Sequence, residues 1–309
     1  MFTERHKADL DRLGYTVVSD VIPEAECRRH QENLRDWLQS FPPGQWPQSK
    51  YSLIQRYRCG HLRPSWEVRL AAKSVFEQVW HTKKLLSSID GISIGRPPED
   101  GEEKFWSPED NWIHVDQMAD RKGLHAYQGS VFLEECAEDD WTFEVLEGSH
   151  LRFDEFMETS QRWMLSNKEL QWFTDQGCPR KRVPCPRGGM ILWDSRLFHA
   201  NARPKEGRSN PGRWRFVVFV CMAPASWAEQ DDLETKQKAY EKLELTTHWP
   251  ARGVQLFARN VNTRIYPSDT GYVTSLPEVA LTTEAKQLAG VLPYDDDGET
   301  DPNDLPEWR

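Results

Sequence analysis

The sequence predicts a mainly β protein with flanking helices, on two observations. Helix-like segments fill the N-terminal third, and from about residue 111 the pattern changes to short apolar runs separated by turn residues. Helices first and many short strands after give a β-sandwich or barrel with helices packed outside. The chain can fill such a core: 309 residues, 38% hydrophobic, with 14 Trp and 13 Phe.

In chain order, residues 24–41 (EAECRRHQENLRDWLQSF) follow Pro23 and carry Leu34, Trp37, Leu38 and Phe41 at helical spacing, with charges on the other side. That is an amphipathic helix. A second helix is predicted over 75–87 through Phe76, Val79, Trp80 and Leu86. Residues 97–110 (PPEDGEEKFWSPED) are acidic and Pro-rich, hence a loop. Strands are predicted at 130–136, 142–146, 190–194 and 215–222, punctuated by Gly148-Ser149, Gly188-Gly189 and Asn210-Pro211-Gly212. Residues 227–244 form a charged helix, and the end, YDDDGETDPNDLPEWR, has the composition of a flexible tail. With no repeat or linker, the expectation is one domain over 1–285: N-terminal helices to about 90, a strand core at about 111–225 and an extension at about 226–285. An acidic tail at 286–309 follows it.

The net charge of −10 and a pI near 5.5 argue against nucleic acid or an anionic membrane as partner, since both need a basic face. Arg180, Lys181 and Arg182 are too short a cluster and read as a solvated strand edge. The N-terminus is charged and lacks an apolar leader, and no run reaches the roughly 18 apolar residues of a membrane span. Six cysteines without a CxxC pair are expected to be reduced thiols in a cytoplasmic protein, which excludes a zinc ribbon. Oligomeric state is not written in the sequence.

Two H-x-[DE] triplets occur. His30-Gln31-Glu32 lies in the first amphipathic helix, where i and i+2 diverge by about 200°, so it cannot chelate one ion and reads as solvated helix surface. His114-Val115-Asp116 lies in NWIHVDQ, entering an apolar strand region, where i and i+2 project to the same side. Alone, such a triplet is most simply a surface ion pair. It gains weight from GGMILWDSRLFHANARP: a turn, an apolar strand, then His199, with a strand opening on arginine after it. Two imidazoles and one carboxylate on one face, leaving positions open, are the donor set of an oxygen-activating ferrous centre.

HVDQ, LEGSH (146–150), GGMILWDSRLFHANARP and RWRFVVFVCMAP together resemble the phytanoyl-CoA dioxygenase-like family of Fe(II)/2-oxoglutarate-dependent oxygenases. LDRLGYTVVSDVIPEAE is similar to that family's opening helix and strand; the resemblance covers residues 10 to about 225, and THWP (247–250) is a further point of similarity. It implies a double-stranded β-helix, a cupin-like jelly-roll barrel with iron at its mouth. His114, Asp116 and His199 are then the metal ligands and catalytic centre. The implied cofactors are Fe(II), 2-oxoglutarate and O2. The implied reaction is decarboxylation of 2-oxoglutarate to succinate, coupled to hydroxylation of an unactivated C–H bond of a small molecule. The far carboxylate of 2-oxoglutarate needs a cation, and a planar arginine fork suits it. The family places that arginine at the start of the strand after the distal histidine, which matches Arg215, with Arg213 the second candidate. Gln128 is expected to reach the cosubstrate as a neutral donor, or else to make a strand-edge hydrogen bond.

Asp116 fills the third position, which disfavours a halogenase; desaturation, cyclisation and epimerisation stay open. Trp193 and Phe198 are expected in the core, Ser195, Arg196 and Asn201 beside His199, and His150 in a structural turn. His61 is a possible pocket residue, and Arg58, Arg63 and Lys104 are candidate anchors for an acidic group. Two other readings stand beside this one: a catalytically silent jelly-roll binding module, and a cupin-type metalloenzyme that does not use 2-oxoglutarate.

Overall fold

The computed structural model describes residues 2–101, 111–257 and 271–295. The chain opens with α1 (Glu4–Leu13), ended by Gly14 at φ 83°, a left-handed conformation that glycine adopts without steric cost. It passes into β1 (Tyr15–Val18) and then α2 (Glu24–Gln39), which buries Cys27, His30, Leu34 and Trp37 as one stripe. His30 is therefore core-facing, at 2% exposure, and not solvated surface as its charged neighbours suggested.

After β2 (Leu53–Ile54), α3 (Arg63–Trp80) shares residues 75–80 with the predicted second helix but starts and ends well before it. It starts around Pro64, whose missing N–H is no loss in a first turn. It stops at Trp80 because His81 turns left-handed, and Leu86 belongs instead to β3 (Leu85–Ser87). Next come β4 (Ile92–Gly95), β5 (Tyr127–Phe132), β6 (Thr142–Leu146), α4 (Phe153–Thr159) and α5 (Asn167–Asp175). The remainder is β7 (Arg180–Val183), β8 (Met190–Asp194), β9 (His199–Ala202), β10 (Arg215–Pro224), α6 (Gln230–Lys242) and α7 (Thr283–Leu288). β6 and β8 coincide with the predicted 142–146 and 190–194, while β5 begins and ends earlier than 130–136. α7 crosses residue 286, and Leu288 and Ala289 are buried. Residues 102–110 of the predicted loop, with Lys104, and 296–309 of the predicted tail lie outside the described residues.

The described strands form two antiparallel sheets, and neither closes on itself. The larger runs β1-β8-β5-β10-β4-β2, with β3 also on β10; the smaller runs β7-β6-β9. Strand alternation sorts side chains into three layers. Phe216, Val218, Val220 and Met222 of β10 turn outward to Trp66, Ala72, Val75 and Phe76 of α3. Ile113, Val115, Phe198 and Ala200 turn out from the small sheet to Phe153, Phe156 and Phe173 of α4 and α5. Between the sheets lie Phe132, Phe143, Val145, Ile191, Trp193 and Val217. Each such side chain contributes about 1.5–3 kcal/mol when fully buried. All six cysteines are buried free thiols. No described helix is long and apolar enough to cross a membrane.

Candidate metal centre

The outward pointing of Ile113 and Val115 fixes the inward pointing of their neighbours, so His114 and Asp116 face the space between the sheets. β9 obeys the same rule: Phe198 and Ala200 pack outward, and His199 and Asn201 point in. A one-bridge ladder joins the two segments, with His114 opposite His199. The carboxylate of Asp116 lies between the rings, Oδ1 at 3.7 Å from His114 Nε2 and Oδ2 at 3.5 Å from His199 Nε2. These three donors lie within 4.8 Å of one another, close enough to hold one metal ion.

The tautomers suit that role. His114 Nδ1 is 2.9 Å from Trp112 O, and His199 Nδ1 is 2.9 Å from Leu197 O. A carbonyl only accepts, so each Nδ1 carries the proton and each Nε2 keeps its lone pair for a metal. Burial, and then the neighbouring His114, push the His199 imidazole down to about 4, so it is neutral at pH 7. Burial alone would raise the Asp116 carboxyl; His248, His114, His199 and the Gln128 amide together outweigh it and hold the group ionised. A carboxylate with two imidazoles, each turning its Nε2 to the same space, fits a divalent iron or a similar ion.

Gln128 meets Asp116 and not an open position: its Nε2 donates to Asp116 Oδ2 at 2.8 Å. One N–H of the amide expected to reach the cosubstrate is thus engaged by the carboxylate, while Gln128 also lines the cavity and its Oε1 is buried without a partner. Arg215, the first residue of β10, is 3% exposed and, among the described residues, donates to neutral acceptors: Ser93 Oγ, Trp141 O and Asn201 Oδ1, each at 2.9 Å. Burial lowers its pKa to about 10, which leaves it charged at pH 7. Asn201 links it to the cavity that His114, Asp116 and His199 line. Arg213 precedes the strand and pairs with Asp140 at 3.0 Å and Glu135 at 3.4 Å.

Trp193 lines the cavity with its ring against His199, whereas Phe198 is core on the outer side. Ser195 donates to Gln117 Oε1 at 2.7 Å, and Arg196 pairs with Asp194, so neither supports His199 directly. His150 holds the Asp11 carbonyl, and His61 is sealed behind α3 with Nε2 on Glu244 O. Arg63 pairs with Glu67, and Arg58 donates to Val273 O. Among the cavity-wall residues that sequence reasoning missed are Asp90 and His248. His248 Nδ1 stands 3.8 Å from Asp116 Oδ1. THWP marked the His248 segment without giving it a role, and Asp90-Gly91 between two apolar runs is a turn signal that could have been read.

Comparison with known proteins bears on the family and the fold. A family model described as phytanoyl-CoA dioxygenase matches residues 10–203. Ava biosynthesis cluster protein O of Aspergillus versicolor is 24% identical over 274 residues, covering 80% of this chain and 86% of that protein. Among solved structures, GlcNAc Inducible Gene 2 of Candida albicans aligns with TM-score 0.64 at 12% identity, over 95% of this chain and 77% of that one. The non-heme alpha ketoglutarate dependent carbocyclase SnoK from nogalamycin biosynthesis aligns with TM-score 0.53 at 16% identity, over 83% and 97%. At these identities the structural likenesses speak for the fold.

Proposed function

The chain belongs to the phytanoyl-CoA dioxygenase family, and on that premise we propose that it is an Fe(II)- and 2-oxoglutarate-dependent dioxygenase oxidising a C–H bond of a small molecule. One observation carries the reading: two imidazoles with Nδ1 tied to carbonyls and a carboxylate converge in one cavity, beside a buried arginine that has no anion among the described residues. In this reading the two sheets are the two faces of a double-stranded β-helix, and His114, Asp116 and His199 hold the metal. Ferrous iron held there would, with 2-oxoglutarate and O2, supply the oxidising power, with succinate and CO2 as the coproducts. The protein's own residues do the rest. Asp116 and the two histidines would hold the ion with three donors, a set that would leave room for cosubstrate and oxygen. Gln128 orients the carboxylate. Arg215 offers its planar fork to the far carboxylate of 2-oxoglutarate, a pairing worth far more in a buried site than at the surface. Phe143 and Trp193 keep the imidazole of His199 packed and dry.

The C-terminal extension belongs to the same unit in this proposal, since Thr246 N donates to Ile89 O at 2.9 Å. The test is succinate formation from 2-oxoglutarate by purified protein with and without Fe(II), in wild type and His199→Ala. Iron-dependent succinate in wild type alone supports the reading. Turnover that needs metal but no 2-oxoglutarate would move the protein to the cupin-type alternative.

A further inference from the structure

β3 and β4 lie end to end along one side of β10, and the ladder between them is broken. Ser87 faces Met222 and Ile92 faces Val218, so the edge takes five steps where β10 takes four. One extra residue is a bulge, a device that re-aims side chains and is common beside active sites. Ser88 N still donates to Cys221 O at 2.9 Å, and the register is lost after it. The bulge is fastened on two sides. Ile89 N donates to Thr246 Oγ1 at 2.8 Å, and a Cβ on Gly91 would come within 2.4 Å of Ile54 O. The side chain thereby delivered to the metal-site cavity is Asp90, 7% exposed.

Asp90 accepts from Gly91 N at 2.6 Å and has the Gln55 amide as a side-chain donor, and among the described residues no Lys or Arg lines this cavity or forms an ion pair with it. On the same wall, His248 Nε2 is buried without a partner. In the oxygenase reading, the charges of a ferrous ion and Arg215 balance Asp116 and a dianionic cosubstrate. The Asp90 carboxylate then has no ion-pair partner among the described residues, only the more distant influence of Arg69 and His248, a costly arrangement in a buried site unless a ligand supplies a closer charge. We propose that Asp90 is the anchor for a protonated amine on the prime substrate. The proposal rests on the oxygenase reading for the identity of the cavity, and its test does not need turnover. An amine seated there meets Asp90 on one side and, on the other, a cavity wall of Leu53 and Phe219 that suits a short apolar body. An acidic substrate group would meet like charge.

Saturation-transfer NMR on metal-free protein at pH 7 compares butylamine, 1-butanol and butyrate as probes. Butylamine is expected to bind most tightly to wild type, and at least tenfold more weakly to Asp90→Asn, which keeps an oxygen for Gly91 N and so preserves the turn. Unchanged melting temperature checks the fold of the variant. Butylamine binding equally to both proteins would reduce Asp90 to a turn cap; butyrate binding as tightly as butylamine in Arg215→Ala, where the proposed carboxylate anchor is gone, or no butylamine binding, would overturn the proposal equally. Mn(II), added as a redox-inert stand-in, should broaden the bound butylamine resonances in wild type and not in His199→Ala. Binding without broadening in Mn(II)-loaded wild type would put the amine elsewhere and also overturn it. Failure of Mn(II) to bind wild type would count against the metal reading, while the metal-free arms still decide the role of Asp90.

Discussion

His114 and His199 exchange both of their backbone hydrogen bonds, His114 N to His199 O at 2.9 Å and His199 N to His114 O at 2.8 Å. Directly opposed residues of an antiparallel pair present their side chains on one face, and here the imidazole centroids stand 4.7 Å apart. Backbone pairing, which no side-chain substitution removes, thus sets the spacing of the two proposed nitrogen ligands. His114→Ala, Asp116→Ala and His199→Ala should each abolish Mn(II) binding and iron-dependent turnover with little loss of fold. His30→Ala should lower the melting temperature, because it empties a buried position beside Glu67, yet leave metal binding near wild type. Isothermal titration with Mn(II) separates the two effects. Metal binding that survives in His199→Ala and fails in His30→Ala would refute the assignment.

The parts of this site legible in the sequence are those written in local period. His-Val-Asp declares itself because alternation puts i and i+2 together, and His199 because a Gly-Gly turn and an apolar strand precede it. β6 and β8 were legible for the same reason. α3 was misplaced because its start depends on Pro64 after the short turn at Cys59–His61, while apolar residues continue past its end into β3. His248 sits in an irregular segment tied down through Thr246 to Ile89, far away in sequence. A tertiary tether of that kind leaves no periodicity to read. Gln128 was noticed, and its partner was not, because only the fold brings β5 beside residue 116.

Arg215→Ala should raise the 2-oxoglutarate requirement by ~30-fold or more, because loss of one partner of a desolvated charge pair costs about 2–5 kcal/mol. Arg213 has its own acids in Asp140 and Glu135, so Arg213→Ala should cost stability and leave the KM for 2-oxoglutarate nearly unchanged. Arg215→Lys should fail to restore affinity, since an ammonium cannot present two parallel donors. Steady-state succinate formation against 2-oxoglutarate concentration gives the comparison. The reverse ranking of the two arginines would transfer the anchor to Arg213.

Gln128→Leu should weaken Mn(II) binding by about 10–100-fold, the usual range for losing the group that orients a ligating side chain. Asp116 Oδ2 loses its 2.8 Å donor, so the carboxylate is no longer held toward the two imidazoles. The variant should fold well, because it also removes the unpartnered buried Oε1. Titration of metal and thermal melts of the apoprotein test the two halves. Wild-type metal affinity in Gln128→Leu would show that the hydrogen bond does not position Asp116.

His61 makes a prediction about acid stability that is independent of the metal site. The ring is fully buried beside Trp66, its Nε2 is 3.0 Å from Glu244 O, and its Nδ1 has no partner. Burial, the largest influence, pushes its pKa down to about 3; Arg69 and Arg58 add to the fall, and the Glu244 carbonyl opposes it. Below pH 6.5 the unfolded chain takes up a proton at His61 that the folded chain refuses. Stability from this residue is therefore complete above pH 6.5 and declines as pH falls toward about 3. At pH 5 the loss amounts to about 2 kcal/mol. His61→Gln keeps an amide donor for Glu244 O and does not titrate. It should be less stable than wild type at pH 8, where the imidazole's packing against Trp66 is missed. The gap should narrow by about 2 kcal/mol at pH 5, as measured by urea unfolding at both pH values. Parallel stability curves for the two proteins would mean that His61 titrates alike in the folded and unfolded chains.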